Sequence, residues 1–326
     1  MAGMRVERLD HLGIVAGVCQ EIGVAAYLDA LAGPSRQQVS VGTATVAMIL
    51  NGLGFSNRRL YLVSQFFATK PVEHLLGPGI TAEMLHDDCL GRTLDWLYDH
   101  DPTALFAGIA RQARRRFGIA ARQVHVDTTS FAVSGEYAAD PTDLDAHTIA
   151  VTYGYSRDHR TDLKQWMLAL AATRQGDVPL FCQALDGNGN GNGNASDKVS
   201  LLAVVEALAE QLRSADEQEA AGEGIAPVFV ADSGLYSADN VTRLTAAGVR
   251  WISRVPDTST EARAALCVAD DAWRQDGSLF GRQHPRHPQA NAGWWCARRT
   301  ARSAPVPPCS ARLSASTTSG NRRCGI

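Results

Sequence analysis

Apolar residues recur every three to four positions through the first third of the chain, a spacing that predicts helices. Residues 39–53 are apolar with small residues between them, and residues 82–98 repeat an apolar face at helical spacing. Asp101 precedes a proline, which predicts a turn and a cap before another helix over 103–116. We therefore expect residues 1–118 to form an all-helical domain.

The periodicity changes after Gly118 from helical spacing to simple alternation. In residues 123–131 (QVHVDTTSF), Val124 and Val126 point one way while Asp127 points the other. This alternation predicts a strand with one buried face and one polar face.

Four further strands and two helices follow from the same kind of pattern. Strands are predicted over 165–173, 178–185, 226–234 and 249–256, and helices over 201–212 and 238–247. The resulting order, three strands and then alternating helices and strands, is typical of an α/β sheet with helices on its faces. We expect this domain to span residues 119–265.

The last part of the chain has no such pattern and an unusual charge. Eight of the 31 basic side chains and none of the 34 acidic ones lie in residues 277–326, so the rest of the chain carries a net charge of −11. A globally basic DNA-binding face is thus excluded, and any DNA contact must rest on local patches. We interpret residues 266–326 as an aberrant, disordered tail, and our hypothesis is that a frameshift produced it.

Composition narrows the class of protein further. The seven cysteines show no CxxC pairing, so neither a disulfide framework nor a zinc site is indicated. No window is apolar and uncharged over the roughly 18 residues that a membrane span needs, and the N-terminus lacks the apolar segment of a signal peptide. We expect a cytoplasmic protein that does not enter a membrane.

Two aspartates are placed where chemistry could occur. Asp127 and Asp232 each close an apolar strand, and ligands converge at the carboxyl ends of strands. If the strands are neighbours, the two carboxylates can share a divalent cation that activates a nucleophile on a phosphodiester. The alternative is that both are ordinary acids at strand ends or turns.

A polar loop between the first two strands supplies a second group of candidates. Judged by composition alone, the basic side chains of this loop have two interpretations. They either contact DNA phosphates or form ion pairs with Asp158 and Asp162 in a solvated loop. The candidate DNA-binding residues are Arg157, His159, Arg160 and Lys164.

Four segments together resemble the catalytic core of bacterial insertion-sequence transposases of the DDE type. They are VHVDTTSF, GYSRDHRTDLKQWMLAL, the DGN to SDK segment and VFVADSGLYSADN, and the likeness spans about residues 5–265. The resemblance implies an RNase H-like mixed sheet in which Asp127 and Asp232 are the first two catalytic, metal-binding acids. It also implies Mg²⁺ or Mn²⁺ as cofactor, transposon ends and target DNA as partners, and action as a homo-oligomer.

The chain departs from this family at the third acid. There a Glu follows the fifth strand in a Tyr-Arg-Glu-Lys pattern, whereas the last Glu here is Glu261, without that surrounding pattern. The later acids Asp270, Asp271 and Asp276 match nothing in the family, so we assign the third role to no residue. Loss of one acid would weaken the hold on a second metal ion.

Three functions remain open from the sequence. The first is a transposase that cleaves DNA with water and then joins strands through a 3′-hydroxyl. The missing acid leaves open whether this copy is active. The second is a catalytically dead DNA-binding remnant that competes with full-length transposase. The third is a separate metal-dependent phosphoesterase or nuclease on the same sheet.

Overall fold

The computed structural model describes residues 6–34, 36–137, 148–154, 160–188, 201–212 and 226–256, together with the backbone of three short strands between 274 and 298. The chain divides into two compact units, Met1–Ser196 and Asp197–Ile326. This division does not fall at residue 118 or 265, and the domain boundaries expected from the sequence stay predictions. Among the described residues no single helix is long and apolar enough to cross a membrane, although the first two helices, bent by 52° at their junction, pass that test together on length and composition.

The first unit begins with seven α-helices. They are α1 Leu12–Ile22, α2 Val24–Ala32, α3 Val41–Gly52, α4 Val63–Phe67, α5 Val72–Leu76, α6 Asp87–Asp99 and α7 Pro102–Phe117. Short 3₁₀ turns cover Leu60–Leu62 and Ala82–Met84. The core of these helices is apolar, and its largest fully buried side chains are Leu12, Leu28, Leu50, Phe67, Leu85 and Leu90.

Helices α2 and α3 are held together by a close backbone approach. Asp29 of α2 accepts hydrogen bonds from the Gly42 N–H at 2.7 Å and from the Ser40 hydroxyl at 2.8 Å, while Ser40 caps α3 by accepting from the Thr43 N–H. A Cβ on Gly42 would lie 2.2 Å from the Ala25 carbonyl oxygen, so only glycine fits there. The small residues seen in the sequence therefore serve helix packing.

The helix expected over 82–98 is wrong in one respect, because it is interrupted. A 3₁₀ turn ends at Met84 and α6 begins only at Asp87. His86 adopts an extended backbone, and its Nδ1 accepts from the Cys89 N–H at 3.3 Å, which makes it the cap of α6. Helix α7 matches its prediction, since Asp101 accepts from the N–H groups of its first turn and Gly118 ends it with a φ of 61°.

The described residues of the first unit also form three antiparallel strands. They are β1 Gln123–Val133, β2 Lys164–Thr173 and β3 Pro179–Leu185, with β2 paired to both of the others. Helix α7 packs against β3. The turn between β2 and β3 includes Gly176 and Asp177, both at positive φ, as the sequence predicts.

The second unit contains parallel strands joined by a helix. A helix, α8, covers residues 201–212, followed by β4 Val228–Ala231, α9 Ala238–Ala246 and β5 Arg250–Ser253. β4 and β5 pair in parallel from Val228 opposite Arg250 to Ala231 opposite Ser253. The predicted fold class is confirmed: helices come first, and the strands that follow are paired both antiparallel and parallel, as in a mixed α/β protein.

Three short strands also occur in the segment expected to lack regular structure. They are β6 Arg274–Asp276, β7 Leu279–Gln283 and β8 Trp294–Arg298, paired antiparallel in that order. At these residues the expectation of disorder is wrong, because their backbone groups find partners in a ladder. The other residues of the expected tail, 266–273 and 299–326 among them, lie outside the described residues.

Candidate active site

Asp127 lies in the middle of β1 and not at its end. It is the fifth of the eleven residues of β1. The pairing of β1 with β2 runs from Val124 opposite Thr173 to Val133 opposite Lys164, so the strand continues well past Asp127. The sequence-based placement of Asp127 at a strand end is therefore wrong. The threonines and the phenylalanine that follow it favour strand structure and carry the ladder onward.

The polarity of β1 agrees with its predicted alternation. Val124 and Val126 are 0% and 2% exposed, whereas Asp127 lies on the solvent-exposed face. The Oδ1 of Asp127 accepts a hydrogen bond from the Thr128 N–H at 2.8 Å, which limits the rotation of the carboxylate. The rigid strand thus presents a carboxylate to solvent with an apolar layer directly behind it.

Asp232 occupies the position that the sequence predicts for it. It follows Ala231, the last residue of β4, and is exposed at the start of a turn. Its Oδ1 accepts from the Gly234 N–H at 2.8 Å, and its backbone carbonyl accepts from the Ser253 hydroxyl at 2.6 Å. A Cβ on Gly234 would lie 2.8 Å from the same Oδ1, so the absence of a side chain at Gly234 leaves room for the carboxylate in this position.

Sequence reasoning missed the residues that support Asp232. Gly234 appears in the sequence only as part of a turn signal, and Ser253 lies 21 positions away at the end of β5. The parallel register of β4 and β5, which sets Ala231 opposite Ser253, is what brings the serine to this turn. A local sequence pattern carries no signal for such a contact.

Two of the four candidate DNA-binding residues can be placed. Arg160 makes a bidentate ion pair with Asp162 at 2.8 and 2.7 Å. This hydrogen bond lowers the pKa of Asp162 and raises that of Arg160. Arg157 and His159 lie outside the described residues. The ion pair is the one expected if the loop is simply solvated, and DNA contact by Arg160 stays a prediction.

Lys164 has a different environment from Arg160. It is the first residue of β2, and its Nζ donates to the backbone carbonyls of Glu136 and Tyr137. Carbonyl groups are neutral, so these bonds orient the ammonium group without cancelling its charge. Lys164 thus keeps a positive charge at the end of the strand pair that carries Asp127.

The described residues contain no group of three or more His, Cys, Asp or Glu side chains that could hold a metal ion. Asp127 and Asp232 are exposed carboxylates, which are the hard oxygen donors that Mg²⁺ and Mn²⁺ accept. Of the acids considered for a third ligand, Glu261, Asp270 and Asp271 lie outside the described residues, and only the backbone of Asp276 is described.

The family model that matches this chain lies within the N-terminal helical region and does not reach the strands. A family model described as "Domain of unknown function (DUF4277)" matches residues 4–111, which covers α1 to α6 and most of α7 and stops before Asp127. No curated protein matches the chain. The match therefore links the helical region to a family without a stated function.

Solved structures similar to this chain are transposases at low identity. One is a piggyBac transposase synaptic complex with hairpin DNA, with 10% identity and a TM-score of 0.33, covering 94% of this chain and 55% of that chain. The chain thus spans about half the length of that transposase.

Two Mos1 complexes are similar at lower TM-scores. The paired-end complex with the left transposon end has 12% identity and a TM-score of 0.23, covering 79% of this chain and 81% of that chain. The mariner paired-end complex with Mn has 13% identity and a TM-score of 0.25, covering 80% and 84%.

Proposed function

We propose that this chain is an insertion-sequence transposase of the DDE type, in which Asp127 and Asp232 together hold a divalent cation. The observation that carries the proposal is the exposure of both acids of the transposase-like motifs, one within a strand and the other directly after one. Asp127 is exposed on β1 with Val124 and Val126 buried behind it, and Asp232 is exposed directly after β4. An ordinary surface acid would require neither a transposase-like motif around it nor a regular strand that positions it.

The residues around each acid fit a role in holding a cation. Thr128 and Gly234 donate backbone N–H groups to one oxygen of Asp127 and Asp232, respectively. Such bonds fix the direction of each carboxylate. A bound Mg²⁺ or Mn²⁺ would supply activation of water or of a 3′-hydroxyl and stabilise the leaving oxygen of the phosphodiester. The two aspartates would then bind and orient the cation.

The finer parts of the proposal come from the family resemblance. They are an RNase H-like catalytic core, recognition of transposon ends and target DNA, and action as a homo-oligomer. The helical region of residues 1–118 would bind ends or mediate assembly.

One observation favours a second candidate function, a catalytically dead remnant that binds DNA and competes with full-length transposase. Within the described part of the chain, no group of three or more His, Cys, Asp or Glu side chains could hold a metal ion. A site with two acids would hold a cation weakly, and the loss of transition-state stabilisation would amount to several kcal/mol.

Cleavage of DNA from the ends of the gene's own element separates these functions. A plasmid that carries the flanking DNA on both sides of the gene is incubated with the full chain and Mg²⁺ or Mn²⁺. We expect metal-dependent nicking that Asp127→Asn and Asp232→Asn each abolish. Asp177→Asn in the β2–β3 turn and Asp239→Asn in the first turn of α9 remove a carboxylate of the same unit elsewhere, and should nick as the unaltered chain does.

The remaining outcomes are also informative. End-specific binding without nicking, together with inhibition of an active relative, would support the remnant. Nicking that survives either substitution, or that the two control substitutions also abolish, would contradict a shared aspartate site.

A further inference from the structure

A stacked pair of aromatic side chains lies on the same strand face as Asp127. Phe131 of β1 and Trp166 of β2 are directly opposite each other, with ring centroids 4.6 Å apart and an interplanar angle of 14°. Phe131 still exposes 42% of its surface, a large fraction for a phenylalanine in a strand. The pair therefore offers a flat apolar surface to solvent.

The position of this pair relative to Asp127 follows from the register. Alternate residues of a strand share a face, so Asp127 and Phe131 lie on the same side of β1, four residues or about 13 Å apart. Directly opposed residues in an antiparallel pair share a face as well, which places Trp166 and Lys164 on this side of β2. We call this surface, formed by Asp127, Phe131, Lys164 and Trp166, the Asp127 face.

Both ends of the Asp127 face carry a cation bonded to a neutral group. Lys164, opposite Val133, donates to two backbone carbonyls. At the other end Arg174 donates to the side-chain oxygen of Gln123 at 3.0 Å. Amide and carbonyl oxygens do not neutralise these charges, so two positive charges flank the aspartate in a chain whose first 276 residues are otherwise strongly acidic.

We propose that the Asp127 face binds a single-stranded segment of DNA, with one unpaired nucleobase stacked on Phe131 and phosphates held by Lys164 and Arg174. The inference rests on the proposed function, since it takes DNA as the substrate that passes Asp127. Lys164 lies two residues from Trp166 along β2, about 7 Å, which suits the phosphate next to a base on Phe131. Arg174 lies eight residues from Trp166, about 27 Å, which suits a phosphate several nucleotides further along the strand. Bases inside a duplex are stacked on each other, so the base that binds here is unpaired or flipped out.

Binding of a fluorescent oligothymidylate, measured by anisotropy in EDTA, tests the proposal without any cleavage. Phe131→Ala should weaken binding about 5- to 150-fold, the range for loss of one stacked base. Phe131→Tyr keeps a stacking ring and should stay within about threefold of the unaltered chain. Ile252→Ala is the control, because Ile252 is an exposed apolar residue of β5, 58% exposed, outside both the Asp127 face and the helical region, and its loss should not change binding.

An oligonucleotide whose bases are replaced by abasic sites distinguishes stacking from charge or folding effects. The unaltered chain should bind it as weakly as Phe131→Ala does, and Phe131→Ala should bind both strands alike. Equal affinity of Phe131→Ala and the unaltered chain for oligothymidylate would overturn the proposal. So would an equal loss of affinity on the abasic strand, because that loss would come from the fold.

The same assay distinguishes failure of this inference from failure of the proposed function. In EDTA no divalent cation is bound, so binding of oligothymidylate reports the stack of Phe131 on Trp166 and not the proposed cation site. Phe131-dependent binding by a chain that never nicks DNA would contradict the nuclease function and leave the stacking site standing. Nicking that does not depend on Phe131, with no stacking in the binding assay, would overturn the stacking site and leave the nuclease function standing.

Discussion

The Ser253 hydroxyl donates a hydrogen bond of 2.6 Å to the backbone carbonyl of Asp232. This bond ties the end of β5 to the turn that carries the carboxylate. Because the bond goes to the backbone, it fixes the turn and leaves the side chain of Asp232 to other partners. The position of the second candidate acid thus depends on a residue in a neighbouring strand.

Removing that hydroxyl should loosen the turn at Asp232. We expect Ser253→Ala to lower the free energy of unfolding by about 1 kcal/mol or less, the usual net contribution of one exposed hydrogen bond. Urea denaturation of the full chain measures it. Ser253→Thr keeps the hydroxyl and should retain most of the stability that Ser253→Ala loses. Equal stability of the alanine and threonine variants would show that the bond contributes nothing.

Two glycines in the helical region should respond in opposite ways to alanine. A Cβ on Gly42 would collide with the backbone of Ala25, so Gly42→Ala should destabilise the chain by about 1–3 kcal/mol or more. Gly17 lies inside α1 with nothing within 4 Å of an added Cβ, so Gly17→Ala should stabilise it by about 0.5–1 kcal/mol. Denaturation midpoints of the two variants give the answer, and shifts of the same sign would contradict the packing of α2 on α3.

The ion pair between Asp10 and Lys70 should make stability depend on pH in the acid range. The hydrogen bond from Lys70, at 2.5 Å, lowers the pKa of Asp10 below its usual 3.8. A lowered carboxylate pKa adds stability above the unfolded pKa, and this is lost as the pH falls through the folded value. Asp10→Asn should therefore lower the melting temperature at pH 7 and have a smaller effect below about pH 3. A difference that is constant from pH 7 to pH 2 would argue against the pairing.

Much of the fold could be predicted because its signals are local. Ser40 and Asp101 cap α3 and α7 at the positions that their residue types indicate. The break before α6 could not be foreseen, because histidine is a rare cap and the apolar spacing continues through it. The strand predicted over 123–131 covers most of β1, but the central position of Asp127 depends on pairing with β2 as far as Val133 and not on β1 alone.

The candidate site was predictable only in part, for the same physical reason. Asp232 could be placed at the end of β4 from its apolar run, which is a local feature. The stack of Phe131 on Trp166 depends on a register between residues 35 positions apart, and Trp166 is most simply interpreted from sequence as a core or interface residue. Contacts across strands require the pairing to be known before they can be inferred.

Iron-directed cleavage of the polypeptide tests most directly whether Asp127 and Asp232 hold one cation. Ferrous iron replaces Mg²⁺, and ascorbate with peroxide generates radicals that cut the chain close to the bound iron. We predict two cuts, one near residue 127 and one near residue 232, and the loss of both in Asp127→Asn and in Asp232→Asn. If each substitution removes only the cut beside itself, or if no cut appears at either aspartate, the shared site does not exist.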